Sequence, residues 1–240
     1  MSWKEALDDK LKAFADSEFD YIETRDIKNV SKIDLGCTGI YMECTLIYFE
    51  IKNLPHILKE YGRRKAAQAY TMFKEVLSAV TERDEAFVNC YSPKAFLIVY
   101  PGHEESIEAA VKGALKITHA LSEDFKQYFS DIQGLEFSMG IDHSHILGSK
   151  SLSDNSYEHI TWFGSAIYKA MYIASECSRP FYVGISSSVY HSLGEELRIA
   201  QRRILGIKKT VEMWSKVSYQ YDNVRKHLYQ TNFKIPLDEA

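Results

Sequence analysis

The stretch Cys44-Thr-Leu-Ile-Tyr-Phe-Glu-Ile51 is a short apolar run rich in β-forming side chains, interrupted near its end by the carboxylate of Glu50. Such a run predicts a buried strand. Pro55 follows closely and opens a helix, because its fixed φ suits a first helical turn. From Ala66 through Tyr70, Phe73, Leu77 and Val80 the apolar residues recur every three or four positions, which places them on one helical face. Residues 86–91 and 95–100 are two further strand-like runs. Only Ser92-Pro93-Lys94 separates them, so they are expected to form a hairpin.

Further along the chain, a second helix is expected after Pro101-Gly102, with Ile107, Val111, Ala114, Leu115, Thr118 and Leu121 on its buried stripe. Residues 135–146 read as extended, with Gly140 marking close packing or a bulge. Residues 149–157 are polar and turn-rich and are expected to form a mobile loop. Ala166, Ala170, Ile173, Ala174 and Cys177 mark a third helix, ended by Arg179-Pro180. A strand at 181–183, a short helix capped by one of Ser186 to Ser188, and two closing strands around Gly206-Ile207-Lys208 complete the reading.

The order β-α-β-β-α-β is the ferredoxin-like plan, an α+β fold with helices on one face of a largely antiparallel sheet and extra C-terminal strands. The expected organisation is an N-terminal arm at 1–40, one domain at 41–220 and a polar tail at 221–240.

Composition narrows the function classes. The chain has 240 residues, 45% apolar and 26% charged, with 12 Gly and 5 Pro, which is globular rather than disordered or collagen-like. Its net charge of −4 argues against nucleic acid as a partner. The N-terminus lacks the apolar core of a signal peptide and no stretch is long enough to span a membrane, so a cytoplasmic protein with no membrane partner is expected. Cys37, Cys44, Cys90 and Cys177 show no metal-binding spacing and read as reduced thiols.

Tyrosine is abundant, at 16 residues. His143 and His145 stand two apart just after Asp142 and read as surface histidines. Gly62-Arg63-Arg64-Lys65 reads as a solvated helix face, and Trp214 as a core or interface anchor.

Four segments carry a resemblance. Thr45-Leu-Ile-Tyr-Phe-Glu-Ile-Lys-Asn-Leu54, the hairpin at 91–100, Met139-Gly-Ile-Asp-His-Ser-His-Ile146 and Trp162-Phe-Gly-Ser-Ala-Ile-Tyr-Lys-Ala170 follow the order and spacing of class III nucleotide cyclases. Residues 45–193 are covered. Gly140-Ile-Asp-His-Ser144, Trp162 before Gly164, and Tyr91 three places before Lys94 resemble most the bacterial Pycsar pyrimidine cyclases, which make cyclic UMP or cyclic CMP in antiphage defence.

The resemblance implies a reaction in which a ribose 3′-hydroxyl attacks an α-phosphate with two metal ions held between two aspartates. The matching positions here are Glu50, a vestigial metal ligand, and Lys94, an ammonium where the second aspartate belongs. The family's transition-state Asn and Arg match Tyr168 and Tyr172, and neither aromatic replaces a guanidinium. Lys94 is expected to pair with Glu50 and fill the metal's place.

The resemblance further implies a head-to-tail homodimer. It also implies nucleotide contacts from Tyr91, Lys94, Trp162 and Lys169. No cofactor is expected for a degenerate protein acting by nucleotide or partner binding, whereas an active cytidylate or uridylate cyclase would use Mg²⁺ or Mn²⁺. A third reading is a regulatory subunit that sequesters an intact cyclase.

Overall fold

The protein is described by a computed structural model over residues 2–24, 38–149, 160–204, 207–221 and 223–237. The loop expected at 149–157 lies outside the described residues beyond Ser149. The chain forms two compact units, Met1–Glu43 with His145–Gly164, and Cys44–Ser144 with Ser165–Ala240.

The smaller unit contains α1 (Trp3–Asp16) and β1 (Asp20–Glu23), with the first residues of β2 (Thr38–Ile51). It also holds the last residues of β5 (Phe137–Ser149), and β6 (Thr161–Phe163). Ser2 starts α1 with a reciprocal cap: its hydroxyl accepts from the Glu5 amide at 3.3 Å, and the Glu5 carboxylate accepts from the Ser2 amide at 2.6 Å. β1 runs parallel to the start of β2, and β6 antiparallel to the end of β5. The arm expected at 1–40 thus carries a capped helix and a paired strand.

The larger unit holds the predicted elements. They are α2 (Leu54–Thr81), β3 (Phe87–Ser92), β4 (Ala95–Pro101), α3 (Glu105–His119) and α4 (Ser165–Glu176). After β7 (Val183–Ser186) and α5 (Ser187–Ser192) come α6 (Glu195–Arg198) and two hairpins. The first, β8 (Ile199–Ile204) with β9 (Ile207–Glu212), is a separate two-stranded sheet. The second is β10 (Ser215–Tyr221) with β11 (Val224–Thr231).

The main sheet runs β10-β11-β7-β5-β2-β4-β3, so β2 lies between β5 and β4. β5 and β7 pair in parallel, whereas β2 with β4, β3 with β4 and β7 with β11 are antiparallel. The sheet is therefore mixed.

Side chains alternate across the sheet. Ile47, Phe49 and Ile51 of β2 join Met139 and Ile141 of β5 in the core beneath α2 and α3. Leu46, Tyr48 and Glu50 consequently face the other way, as do Ser138, Gly140 and Asp142. That second face is not bare. α4 lies on it so closely that a Cβ at Gly140 would stand 1.9 Å from the Ala170 carbonyl oxygen. The expectation of helices on one face is corrected: the small residues of β5 admit α4 to the opposite one.

Two more expectations change. Within the residues read as a tail, 224–231 form β11, an inner strand between β10 and β7. Its polar composition concealed it, since only Leu228, Tyr229 and Thr231 are buried. The strand expected at 181–183 begins instead at Val183, after a cis Arg179-Pro180 bond, and Ser186 caps α5 by accepting from the Val189 amide at 3.3 Å. α2 bends at Gly62, whose φ of 76° a glycine adopts without the Cβ penalty.

Candidate functional site

Of the residues singled out from the sequence, Glu50 and Lys94 meet at the end of β2. Strand register brings Glu50 opposite Ala95, and the amide of Ile51 donates to the Lys94 carbonyl at 2.8 Å. Lys94, in the turn before β4, is thereby pinned beside Glu50. Its ammonium donates to Glu50 Oε1 at 2.7 Å, which is the pairing expected from the sequence.

A second lysine completes the arrangement. Lys52 Nζ stands 3.6 Å from Glu50 Oε2 and donates to the carbonyls of Ala174 and Ser175 at 2.7 and 3.1 Å. Those carbonyls belong to the last turn of α4, where helical oxygens lack intrahelical partners and a cation is favoured. Glu50 itself is only 9% exposed. One carboxylate is thus held between two ammonium groups, with Lys94 on the solvent side at 52% side-chain exposure.

Tyrosines border the pair. Tyr91 lies at a bulge in β3, where pairing shifts between Cys90 and Ser92, and its ring meets Tyr48 edge-on at 5.6 Å. Burial first, then the Glu50 carboxylate and Tyr91, push the Tyr48 phenol up to about 12. Tyr91 is also raised, by burial and by Tyr168 of α4. Tyr91 and Tyr168 remain exposed, at 39% and 52%. Tyr172, one turn further along α4, stacks on Tyr219 at 5.3 Å and meets Tyr221 edge-on.

Lys169 does not join Glu50. Its ammonium lies 3.5 Å from Asp142 Oδ2, and Asp142 is wholly buried with neither carboxylate oxygen hydrogen-bonded among the described residues. Trp162 belongs to the smaller unit. It is 6% exposed there, and its ring lies where a Cβ on Gly148 would reach it at 2.6 Å. Trp214 is a core residue whose indole donates to the Leu197 carbonyl at 2.7 Å.

The two histidines between Asp142 and Ile146 have different partners. His143 Nδ1 shares a hydrogen bond with the Thr45 hydroxyl at 2.9 Å, and His145 stacks on Tyr41 with ring centroids 5.0 Å apart. His145 is exposed, as expected from the sequence, whereas His143 is half-buried. Of the basic cluster at 62–65, Lys65 pairs with Asp131.

Sequence reasoning missed Lys52 and Asp142. A signal existed for each. Lys52 stands two places after Glu50 at the end of an apolar strand, and Asp142 is a carboxylate two places after a close-packing glycine, hence on the same face.

No family model matches the chain, and no curated protein sequence matches it. Solved structures do. The guanylyl cyclase Cya2 superposes with a TM-score of 0.65 at 13% identity, over 82% of this chain and 94% of that one. The adenylyl cyclase CyaB from P. aeruginosa gives 0.63 at 12% identity, over 80% and 95%. A class III adenylyl cyclase-like ATP-binding protein from Pseudomonas aeruginosa gives 0.59 at 16% identity, over 80% and 43%. The chain has the fold of class III cyclase catalytic domains. Among the described residues no helix is long and apolar enough to cross a membrane.

Proposed function

We propose that this protein is a class III cyclase-fold relative of the Pycsar pyrimidine cyclases that has lost cyclisation chemistry and acts by binding a nucleotide or a partner chain. The observation that carries this reading is the Lys94 ammonium 2.7 Å from Glu50, at the place where the resemblance puts two metal-binding aspartates. Mg²⁺ takes several oxygen ligands in near-octahedral geometry. Glu50 offers its oxygens to Lys94 and Lys52 instead, and both cations repel a divalent ion. The residues present do not fit the metal pair.

Tyr168 and Tyr172 support the same reading, since phenols supply no guanidinium-like clamp for a transferring phosphoryl group. In a head-to-tail homodimer, which the resemblance implies, neither chain would supply the missing group. Binding remains chemically reasonable. Tyr91 and Tyr168 present partly exposed rings, Tyr91 edge-on to Tyr48, and a nucleobase stacks on such surfaces. A solved structure of this fold is itself described as an ATP-binding protein.

Two measurements test the proposal. Calorimetric titration with Mn²⁺ is expected to show no binding by the unmodified protein at millimolar concentration and measurable binding by Lys94→Asp. Incubation with each of the four NTPs and Mn²⁺ is expected to yield no cyclic nucleotide. Product that forms and disappears in Glu50→Ala would overturn the reading in favour of an active cyclase with an atypical site.

A further inference from the structure

The larger unit contains a cavity of about 460 Å³, within the range typical of small-molecule sites. None of the residues expected to handle a nucleotide lines it. α3 continues past His119 as a π-helical turn at Ala120–Asp124, and this turn, the start of β5 and the segment around the cis Arg179-Pro180 bond bound the space.

The walls have a definite chemistry. Phe73, Phe129, Phe137 and Tyr182 form the apolar part, already ordered as two stacked pairs: Phe73 with Phe129 at 5.0 Å and Phe137 with Tyr182 at 4.8 Å. Flat aromatic walls accept a flat apolar body. Charge is concentrated elsewhere in the lining, on Lys126, Arg179, Lys234 and Glu123. Glu123 is committed, because Lys234 donates to it at 2.5 Å and holds its carboxyl below the ordinary range. Three cations against one carboxylate leave the lining with a surplus of positive charge, although the whole chain is net negative at −4.

We propose that this cavity binds a small aromatic anion, its ring system between the phenylalanine and tyrosine walls and its acid group on Lys126 and Arg179. Charge complementarity selects the acid and the stacked walls select the ring. Arg179 Nε lies 3.9 Å from Glu136 Oε1, beyond hydrogen-bond length, and a bound carboxylate, sulfonate or phosphate would compete for the guanidinium. The position also offers a link to the Glu50 pair, since Phe137 stacks on Phe49, the residue before Glu50, at 5.5 Å. The inference stands independently of the nucleotide reading.

The test uses the full chain and two fluorescent probes of nearly the same shape, 1-anilinonaphthalene-8-sulfonate and its neutral analogue N-phenyl-1-naphthylamine. The sulfonate is expected to bind saturably at one site per chain, and the neutral analogue about tenfold more weakly, the order expected for one charge-assisted contact. Lys126→Gln with Arg179→Gln should weaken the sulfonate and leave the neutral probe unchanged. Ser130→Trp, which fills the cavity from an exposed position, should abolish both, while Ser130→Ala keeps both and controls for folding.

Equal affinity for the two probes, sulfonate binding indifferent to the paired Gln substitutions, or no saturable binding would overturn the proposal. Metal titration and NTP turnover do not read this site, so failure here and failure of the pseudoenzyme reading remain separate.

Discussion

The ammonium of Lys52 donates to the carbonyl oxygen of Ala174 at 2.7 Å, tying the end of β2 to the last turn of α4. The same group lies 3.6 Å from Glu50, so one side chain satisfies helix-end oxygens and neutralises a nearly buried carboxylate. Lys52→Met should therefore lower unfolding stability by about 1 kcal/mol in urea titration, since it leaves Glu50 with Lys94 alone and removes a donor from the Ala174 and Ser175 carbonyls. Lys52→Arg, which keeps charge and donors, should recover most of that loss. A neutral outcome for Lys52→Met would show that the tie carries no stability.

Both lysines are expected to oppose metal binding at Glu50. Lys94→Asp restores a carboxylate but leaves Lys52 beside Glu50, so its affinity for Mn²⁺ should be weaker than that of Lys94→Asp with Lys52→Ala. Calorimetry on the two variants gives the order directly. The double variant binding no better than the single one would assign the block to Lys94 alone.

The pair Asp142 and Lys169 predicts non-additive energetics. Lys169→Met leaves a wholly buried carboxylate without its cation and should cost about 2 kcal/mol, reduced from the fully buried case because Lys169 is 34% exposed. Adding Asp142→Asn removes the orphaned charge, so the double variant should be more stable than Lys169→Met alone. A thermodynamic cycle measures this coupling, and strict additivity would mean the two groups do not interact.

Gly140→Ala should be among the most damaging substitutions in the chain. Its Cβ would sit 1.9 Å from the Ala170 carbonyl and 2.6 Å from the Ala174 amide, both backbone atoms that move only if α4 lifts from the sheet. A loss above about 3 kcal/mol, or failure to fold, is expected. Gly184→Ala meets the Cys177 sulfur and an Ile173 methyl at 2.6 Å, with the nearest backbone atom at 3.8 Å, and should cost less because side chains give way more readily than backbone.

Tyr48 is one contributor to alkaline stability, because its phenol is pushed from 10.0 to about 12 chiefly by burial. Between those values the unfolded chain releases a proton that the folded chain keeps. Stability is therefore intact below pH 10 and falls as pH rises from there toward 12. Tyr48→Phe removes this contribution, so its urea midpoint should decline less steeply over that window. Parallel slopes for the two proteins would exclude Tyr48 as a contributor.

Much of the fold was legible in residues alone. The apolar run at 44–51, the helical spacing from Ala66 and the Ser92-Pro93-Lys94 turn correspond to β2, α2 and the β3–β4 hairpin, because each reports a local period or a local backbone constraint. β11 was hidden for the converse reason. Its Arg225, Lys226 and His227 read as solvated, and it lies inside the sheet through backbone pairing with β10 and β7, to which side-chain identity contributes little. The side of the sheet taken by α4 was also not a local property.

The sequence by itself determined which chemistry-bearing groups exist: Glu50 and Lys94 at the positions the resemblance matches to metal aspartates, and Tyr168 and Tyr172 at those it matches to the Asn and Arg. Those are identities, and identity needs no coordinates. Only the tertiary structure decided their company. The meeting of Lys94 with Glu50 depends on antiparallel register, that of Lys52 with Glu50 on the reach of a long side chain to the end of α4, and the burial of Asp142 on Gly140 admitting that helix. Pairing between distant residues is a property of packing, and packing is settled only when the whole sheet has closed.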